Sequence, residues 1–519
     1  MQRLVASLFS SSSSSGSPTS SSLPLLPWSR PPPRSTRTHA PRRPLSLPLF
    51  LPVFLLLLFF LAFPSSRSRP RPRLDPQWER EWRYRNGSNV DVVERLWIHE
   101  PDAGGGGKAS FIALGASLVD FFVPDRHGTL RDVSLGYENT TLYASDPHYP
   151  YFGAIVGRYA NRVANASFNL PDGTTVHLPP NEHNGRNTLH GGRWGYSRAG
   201  WRVVEHLGSS ITFELRDEEG TEGFPATLLT TVTYTLLSSP LRLTTSMSAR
   251  VLPSPSSSSS SASSSSPSPK PVTPILLSSH LYFNLDGYFP YAPGGGGGGE
   301  GGGGRDATAS LDGHKLWVDA DRFVETDGEL IPTGALPPIS LDSALDFRTS
   351  SSSSSSSDSV GASVGEKLSR GGEVEGLCGT GCSGLDNALV FAPSSSSSSG
   401  RYRNDTSTPL LILRSEGSGI RMALRTNQPA VHLYTCNGFS PSPSSPSGAG
   451  QYHRKASHRF SADVSDDADV DYYPHQSCLA LEPEGLIDAV HHREAWGVDP
   501  FYGPGRAYEW WSEYEFTLT

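Results

Sequence analysis

One carboxylate and one imidazole, each delivered by a short alternating stretch, are the residues of this chain best placed to do chemistry. In Ser477-Cys478-Leu479-Ala480-Leu481-Glu482-Pro483-Glu484-Gly485, a strand puts Cys478, Ala480 and Glu482 on one face and Leu479 and Leu481 on the other. The small residues beside Glu482 leave room for a ligand against it. His280-Leu281-Tyr282-Phe283-Asn284-Leu285 alternates in the same way, with His280, Tyr282 and Asn284 on one face. A carboxylate on one strand and an imidazole on another are the minimal set for paired proton transfer.

Four further stretches carry polar groups where a core would not want them. Gly157-Arg158-Tyr159-Ala160-Asn161-Arg162-Val163 sets two arginines among small and apolar residues. Asn187-Thr188-Leu189-His190-Gly191-Gly192 places a histidine before two glycines, where the backbone can turn tightly and present the ring. Leu385-Asp386-Asn387-Ala388-Leu389-Val390-Phe391 opens a strand with an acid, and Val431-His432-Leu433-Tyr434-Thr435-Cys436-Asn437 puts His432, Tyr434 and Cys436 on one face. Each has a structural reading as well. Arg158 and Arg162 can be surface cations, Asp386 a turn residue, and Glu482 an edge charge that blocks sheet pairing.

The elements that must hold these groups are strands. Phe111 to Pro124 reads as two strands broken at Gly115, and strands continue through Trp201–Val204, Ile211–Leu215 and Leu228–Leu237. No sustained helical periodicity runs through the body. Short, turn-bounded strands argue for an all-β chain, a large antiparallel β-sandwich. Runs of Ser at 256–266, 350–357 and 394–399 and of Gly at 294–304 cannot bury enough apolar surface to fold. They read as low-complexity loop insertions, which a folded core tolerates because closure entropy grows slowly with length.

Before the body lie a Ser/Pro/Arg-rich leader (1–43), an apolar segment (44–63) and a linker (64–89). The apolar run from Leu45 to Phe63 is about long enough to span a bilayer as a helix, and it reads as a membrane anchor or signal segment. Four sequons, at Asn86, Asn139, Asn165 and Asn404, favour a body in the secretory lumen or outside the cell. The acid-free, Arg-rich start offers a plastid transit peptide as the alternative. Of the chain's net charge of −8, residues 1–73 contribute ten arginines and no acid. The remainder therefore holds 43 − 10 = 33 basic against 51 acidic residues, a balance of −18 that argues against a nucleic-acid partner. Four cysteines are too few for a disulfide scaffold and poorly spaced for zinc, so no metal is expected. Cys378 and Cys382, in Cys-Gly-Thr-Gly-Cys, form either a small loop disulfide or free thiols. Oligomeric state is not legible.

Taken together, the stretches resemble the aldose 1-epimerase (galactose mutarotase) family. The matching blocks run in order: Pro124-Asp125-Arg126, Leu135-Gly136-Tyr137, Gly153 to Val163, Leu189-His190-Gly191-Gly192, His280 to Leu285, Leu385-Asp386, Tyr434-Thr435-Cys436-Asn437, Leu481-Glu482, and a last strand from Tyr508 to Phe516. The resemblance covers about residue 90 to the C-terminus. It implies a β-sandwich domain over 90–519 with a sugar-sized cleft, which interconverts the α and β anomers of aldohexoses such as galactose and glucose without cofactor or metal. By match, Glu482 is the base at the C1 hydroxyl, His280 the acid at the ring oxygen, and His190 its assistant. Asn161, Arg162, Asp386 and His432 hold sugar hydroxyls, and Arg158 is structural. The chain departs from the family pattern in three places. His432 stands where a glutamine is usual, Asp386-Asn387 replaces Asp-His, and Pro483-Glu484 and Leu486-Ile487-Asp488 replace Thr-Gln and Phe-Pro-Asp. The alternative function is a non-catalytic, membrane-anchored sugar-binding or signalling protein on the same fold.

Overall fold

The computed structural model describes residues 91–101, 106–253, 271–288, 310–348, 361–393, 407–439, 450–458 and 472–519. The leader, the apolar segment, the linker, the Ser and Gly tracts and the sequons at Asn86 and Asn404 lie outside those residues. Among the described residues no helix is long and apolar enough to cross a membrane.

Strands β1 (Leu96–His99), β2 (Lys108–Ile112), β3 (Ser117–Pro124) and β4 (Leu130–Asp132) form a first antiparallel sheet, with the expected break around Gly115. Then come β5 (Arg202–His206), β6 (Ser210–Asp217), β7 (Leu228–Leu237), β8 (Leu241–Val251), β9 (Leu281–Phe283), β10 (His314–Val318) and β11 (Ala320–Phe323). The chain continues through β12 (Ala362–Ser363), β13 (Asp386–Phe391), β14 (Leu411–Ser415), β15 (Ile420–Thr426), β16 (Ala430–Tyr434), β17 (Leu479–Glu484), the helix α1 (Ala489–Trp496) and β18 (Tyr508–Leu518). Two sheets dominate. Nine strands run in the order β5-β6-β7-β8-β18-β15-β14-β10-β12, and five in the order β9-β17-β16-β13-β11.

Alternation explains why these sheets form and stack. Along β7, Leu-Leu-Thr-Thr-Val-Thr-Tyr-Thr-Leu-Leu, every second residue is buried and those between are half-buried, the pattern of a sheet with one core face. That face meets the five-stranded sheet: Val232, Tyr234, Leu243, Met247 and Tyr514 share one core with Leu433, Leu479 and Leu481. β17 is buried at all six positions. Its leucines point into the sandwich core, and Ala480 joins a second apolar cluster with Tyr282 and Cys478 on the opposite face. The chain is therefore the all-β sandwich that the strand pattern anticipates.

The helix α1 was not expected. It buries only Ala489, Val490 and Trp496, too few apolar positions over eight residues to produce a visible helical period. It ends where Gly497 takes the left-handed conformation, φ 57°.

Two cystines are present. Cys378 pairs with Cys382, as one of the two sequence readings allowed, and Cys436 pairs with Cys478, a pairing the sequence did not reveal. The second joins the chain just beyond β16 to the residue just before β17. Around it, Asn437 Nδ2 donates to Leu385 O (2.8 Å) and Gln476 Nε2 to Ser383 O (2.9 Å), which fixes the entry to β13. With a sequence separation of 42 between its cysteines, chain entropy assigns this cross-link about 4 kcal/mol. Replacing both Cys436 and Cys478 by Ala should lower the unfolding free energy by about that amount in urea titrations. A loss below about 1 kcal/mol would mean that the surrounding hydrogen bonds hold these strand ends without it.

Candidate active site

The register of the five-stranded sheet builds the site. β17 lies between β9 and β16, with Leu281 opposite Leu481 and His432 opposite Glu482. His280 directly precedes β9, so the same register carries it level with Glu482. One row across the sheet thus reads His280, Glu482, His432. Asp386, on β13, stands opposite Tyr434 and so lies diagonally next to His432. All four side chains project from the face away from the sandwich core.

They floor a cavity of about 390 Å³, whose walls include Tyr151, Asn161, Arg162, His190, Tyr434 and Tyr452. That volume suits a small molecule; such sites span about 300–1,000 Å³. His190 and Asn161 come from outside the sheet, held by a two-residue pairing in which Arg162 faces Leu189 and Val163 faces Thr188. Asn161 N–H donates to His190 Nδ1 (3.1 Å), and His190 N–H donates to Asn161 O (3.0 Å). Gly191 is obligatory in this turn: it has φ 79°, and a Cβ there would lie 2.1 Å from Gly157 O. Because His190 Nδ1 accepts, the ring hydrogen sits on Nε2.

Glu482 Oε1 lies 3.4 Å from His280 Nε2, and both residues are nearly sealed from solvent, 2% and 5% exposed. Among the described residues neither Glu482 Oε2 nor His280 Nδ1 has a hydrogen-bond partner. The His280 ring is flanked by two near-parallel tyrosines, Tyr282 at 4.9 Å and Tyr151 at 5.7 Å. Burial pushes the His280 imidazole down to about 3, helped by the positive charge of His432. Burial likewise holds the Glu482 carboxyl well above the usual carboxylate range; His432 opposes this, while Glu484 and Asp386 add to it. Burial thus disfavours charge on both members of the pair, so a proton shared between them rests more readily on Glu482 than on His280.

His432 ionises in the opposite sense. Burial alone would lower it, but its bonds to Asp386 and Glu484 carry it up to about 10. Its Nε2 meets Asp386 Oδ1 at 2.5 Å, and its Nδ1 lies 3.4 Å from Glu484 Oε1. Burial would raise Asp386, yet the bond and charge of His432, with Arg162 beyond, bring it below its ordinary value. Arg162 gives two of its nitrogens to Glu182, at 3.0 and 2.9 Å, leaving Nη1 near Asn161 Oδ1 (3.4 Å) at the cleft wall.

All seven residues singled out from the sequence therefore line one cleft. His432 has both ring nitrogens turned to protein groups. Arg158 lies outside the cleft, buried and bonded to Asp217 (2.7 Å) and to the carbonyls of Pro225 and Ala226. Three residues escaped the sequence reading. Tyr151 sits in an aromatic run, His148-Tyr149-Pro150-Tyr151-Phe152, that carries no periodic signal. Tyr452 lies shortly after a Ser/Pro run at 440–447. Glu484 follows Pro483 on the strand of Glu482, a position that argues against it as a second acid, yet alternation puts both carboxyls on one face.

Ligand atoms of His190, His280 and Glu482 all lie within 4.8 Å of one another, a spacing at which a divalent cation could be gripped. The bond from Asn161 makes His190 Nε2 a hydrogen donor, which suits an oxygen better than a cation. The arrangement can hand one proton to an oxygen, remove one from another, and steady the first with a further N–H.

The family model described as aldose 1-epimerase matches residues 100–253 and 270–515. A probable aldose 1-epimerase from Arthroderma benhamiae is 35% identical over 424 residues, 79% of this chain and 84% of that protein. The aldose 1-epimerase of Escherichia coli is 26% identical over 78% of this chain and 90% of its own length. In fold, the chain is similar to the crystal structure of a GalM/aldose epimerase homologue from C. elegans: TM-score 0.59, 24% identity, 82% of this chain and 99% of that one. The chain belongs to the aldose 1-epimerase family, a family of isomerases.

Proposed function

We propose that this chain interconverts the α and β anomers of aldohexoses such as galactose and glucose, with Glu482 and His280 as the proton-transferring pair. The observation that carries this reading is their 3.4 Å approach on adjacent strands at the floor of the cleft. The Glu482 carboxylate takes the proton of the C1 hydroxyl while the His280 imidazolium protonates the ring oxygen. The C1–O5 bond breaks, leaving an aldehyde at C1, a hydroxyl at C5, protonated Glu482 and neutral His280. After rotation about C1–C2, the C5 hydroxyl adds to the other face of the aldehyde. His280 then recovers its proton, and Glu482 returns one to the new C1 hydroxyl.

The protonation state that burial favours, protonated Glu482 beside neutral His280, is the one that accompanies the open chain. It has the same total charge as the carboxylate–imidazolium form. A cyclic sugar therefore needs only a shift of the shared proton, with none exchanged with solvent. His190 Nε2–H supports the ring oxygen, and Asn161, Arg162 and Asp386 hold hydroxyls.

Polarimetry on fresh α-D-galactose and α-D-glucose tests this. The chain should speed the approach to anomeric equilibrium, and Glu482→Gln or His280→Asn should each cost about 10²- to 10⁴-fold in kcat. Folded protein no faster than buffer would turn the reading toward sugar binding without catalysis.

The pH profile gives a second check. His280 accepts a second proton only near pH 3, and that proton removes the base from the pair. With the buffer rate subtracted, kcat/KM should stay level from pH 7 down to about 5. An acid limb with its midpoint near the ordinary histidine value of about 6.5 would contradict this environment for His280.

For localisation we infer that the body lies in the secretory lumen or outside the cell. Both cystines suit an oxidising compartment, and Asn139 and Asn165, the two described sequon residues, are exposed. Expressed with its N-terminal stretch in eukaryotic cells, the protein should lose apparent mass on treatment with an N-glycanase. Unchanged mobility would count against lumenal placement.

A further inference from the structure

Glu484 is a fully buried carboxyl, 0% exposed, that the proton-transfer scheme does not use. It stands two residues beyond Glu482 on β17, opposite Ala430. Its Oε1 has two nitrogen neighbours, each at 3.4 Å: His432 Nδ1 and Asn161 Nδ2. Those nitrogens are themselves 3.1 Å apart. The amide of Asn161 cannot be turned round, because its Oδ1 already accepts from Arg162 N–H (2.9 Å). Its Nδ2 is therefore a donor. His432 Nδ1 consequently faces one donor, Asn161, and one acceptor, Glu484. Its other nitrogen is committed to Asp386 at 2.5 Å.

The charge at position 484 decides between two states of the ring. With a carboxylate there, Nδ1–H donates to Oε1, and the ring is bonded to a carboxylate at each nitrogen. With a neutral amide there, Nδ1 takes the N–H of Asn161, and the ring is neutral. The charged and titratable groups around His432 are Asp386 on β13, Glu482 and Glu484 on β17, His280 before β9, His190 from the glycine turn, and Arg162 beside Asn161. Burial raises the Glu484 carboxyl, and the bonds from His432 and Asn161 work against that rise; an ionised Glu484 and Asp386 in turn favour the cation, while Arg162 is largely engaged by Glu182.

We propose that Glu484 is a positioning residue of the site: its carboxylate keeps a hydrogen on His432 Nδ1, fixing that ring as a cation bonded at both nitrogens. His432 then serves as the counter-charge beside Glu482, directly opposite it in the sheet, instead of offering a nitrogen to sugar hydroxyls. The proposal rests on the anomerase reading of the same cleft. Its consequence is that ionised Glu482, the form that must take the C1 hydroxyl proton, draws part of its stability from a carboxyl that touches no substrate.

Two-dimensional NMR of the full chain, ¹⁵N-labelled at histidine and held in detergent, reads the ring directly. The His432 signals are assigned by their absence in His432→Gln. The unsubstituted chain should show both His432 nitrogens protonated through pH 8. In Glu484→Gln the ring should lose the Nδ1 hydrogen, its titration midpoint falling from about 10 to about 7 or below. Polarimetry of Glu484→Gln should show a rate that falls at least tenfold from pH 6 to pH 8, where the unsubstituted chain is level. A merely structural role for Glu484 would lower the rate equally at every pH.

A doubly protonated ring that persists in Glu484→Gln would overturn the proposal. So would a neutral His432 at pH 7 in the unsubstituted chain, a result that stands even where the variant does not fold. An inactive chain that nevertheless shows the Glu484-dependent ring would sink the functional reading, while the positioning of His432 by Glu484 would stand.

Discussion

The register of β17 is the constraint on which the rest of the site depends. Strand side chains alternate, so a slip of one residue would send Glu482 and Glu484 into the sandwich core and bring Leu481 and Pro483 into the cleft. Burial of each leucine on that strand contributes roughly 1.5–3 kcal/mol, which the slipped strand would forfeit while burying two carboxyls. Side chains from outside the sheet hold the register as well. Pro483 has no N–H to offer a neighbouring strand, but its carbonyl accepts from Ser278 Oγ (2.9 Å) and from Trp510 Nε1 (2.8 Å). Trp510 belongs to β18, in the nine-stranded sheet, so the stacking of the two sheets and the aim of Glu482 are one arrangement.

From that register follows a contrast between two histidines. His280 and His432 flank Glu482 in the same row, and both are buried. Burial penalises the cation in each case. His280 lies between tyrosine rings, and burial together with the charge of His432 keeps its imidazole neutral. His432 lies between Asp386 and Glu484 and carries the charge. One row of a sheet thus presents a neutral imidazole, a carboxyl and a cationic imidazole in sequence. The difference comes from what stands on the neighbouring strands, not from depth of burial.

Much of this was legible before the fold was known, because strand alternation is local. Glu482 and His280 could be read from a period of two, and so could the shared face of His432 and Tyr434. The order of the blocks then placed Asn161, Arg162, His190 and Asp386 with them. What could not be read is what depends on meetings between distant segments. Nothing in the sequence says that Asn161 N–H fixes the tautomer of His190 across 29 residues, or that Cys436 meets Cys478. Glu484, beside Pro483, carries no signal of its own role, although alternation alone puts it on the face of Glu482. The helix α1 was missed for a different reason: three buried residues in eight make no period.

The wall formed by Tyr452 shows how the cleft coexists with connecting stretches of free length, such as the Ser/Pro run at 440–447. Residues 450–458 carry Tyr452 to the cleft, and Lys455, 0% exposed, secures them. Its ammonium meets Asp132 (2.5 Å) and Asp120 (3.4 Å) and donates to Val119 O (2.8 Å). Nearby, Ser457 Oγ donates to Asp132 Oδ2 (2.9 Å). A buried ion pair adds little net stability over a well-packed apolar alternative. It is, however, specific in place, since a lysine displaced from these acids would leave uncompensated charge in the interior. Such an anchor fixes a short segment independently of how much chain precedes or follows it. Loop-closure entropy grows only logarithmically with length, so the chain on either side can lengthen at small cost while Tyr452 stays at the cleft.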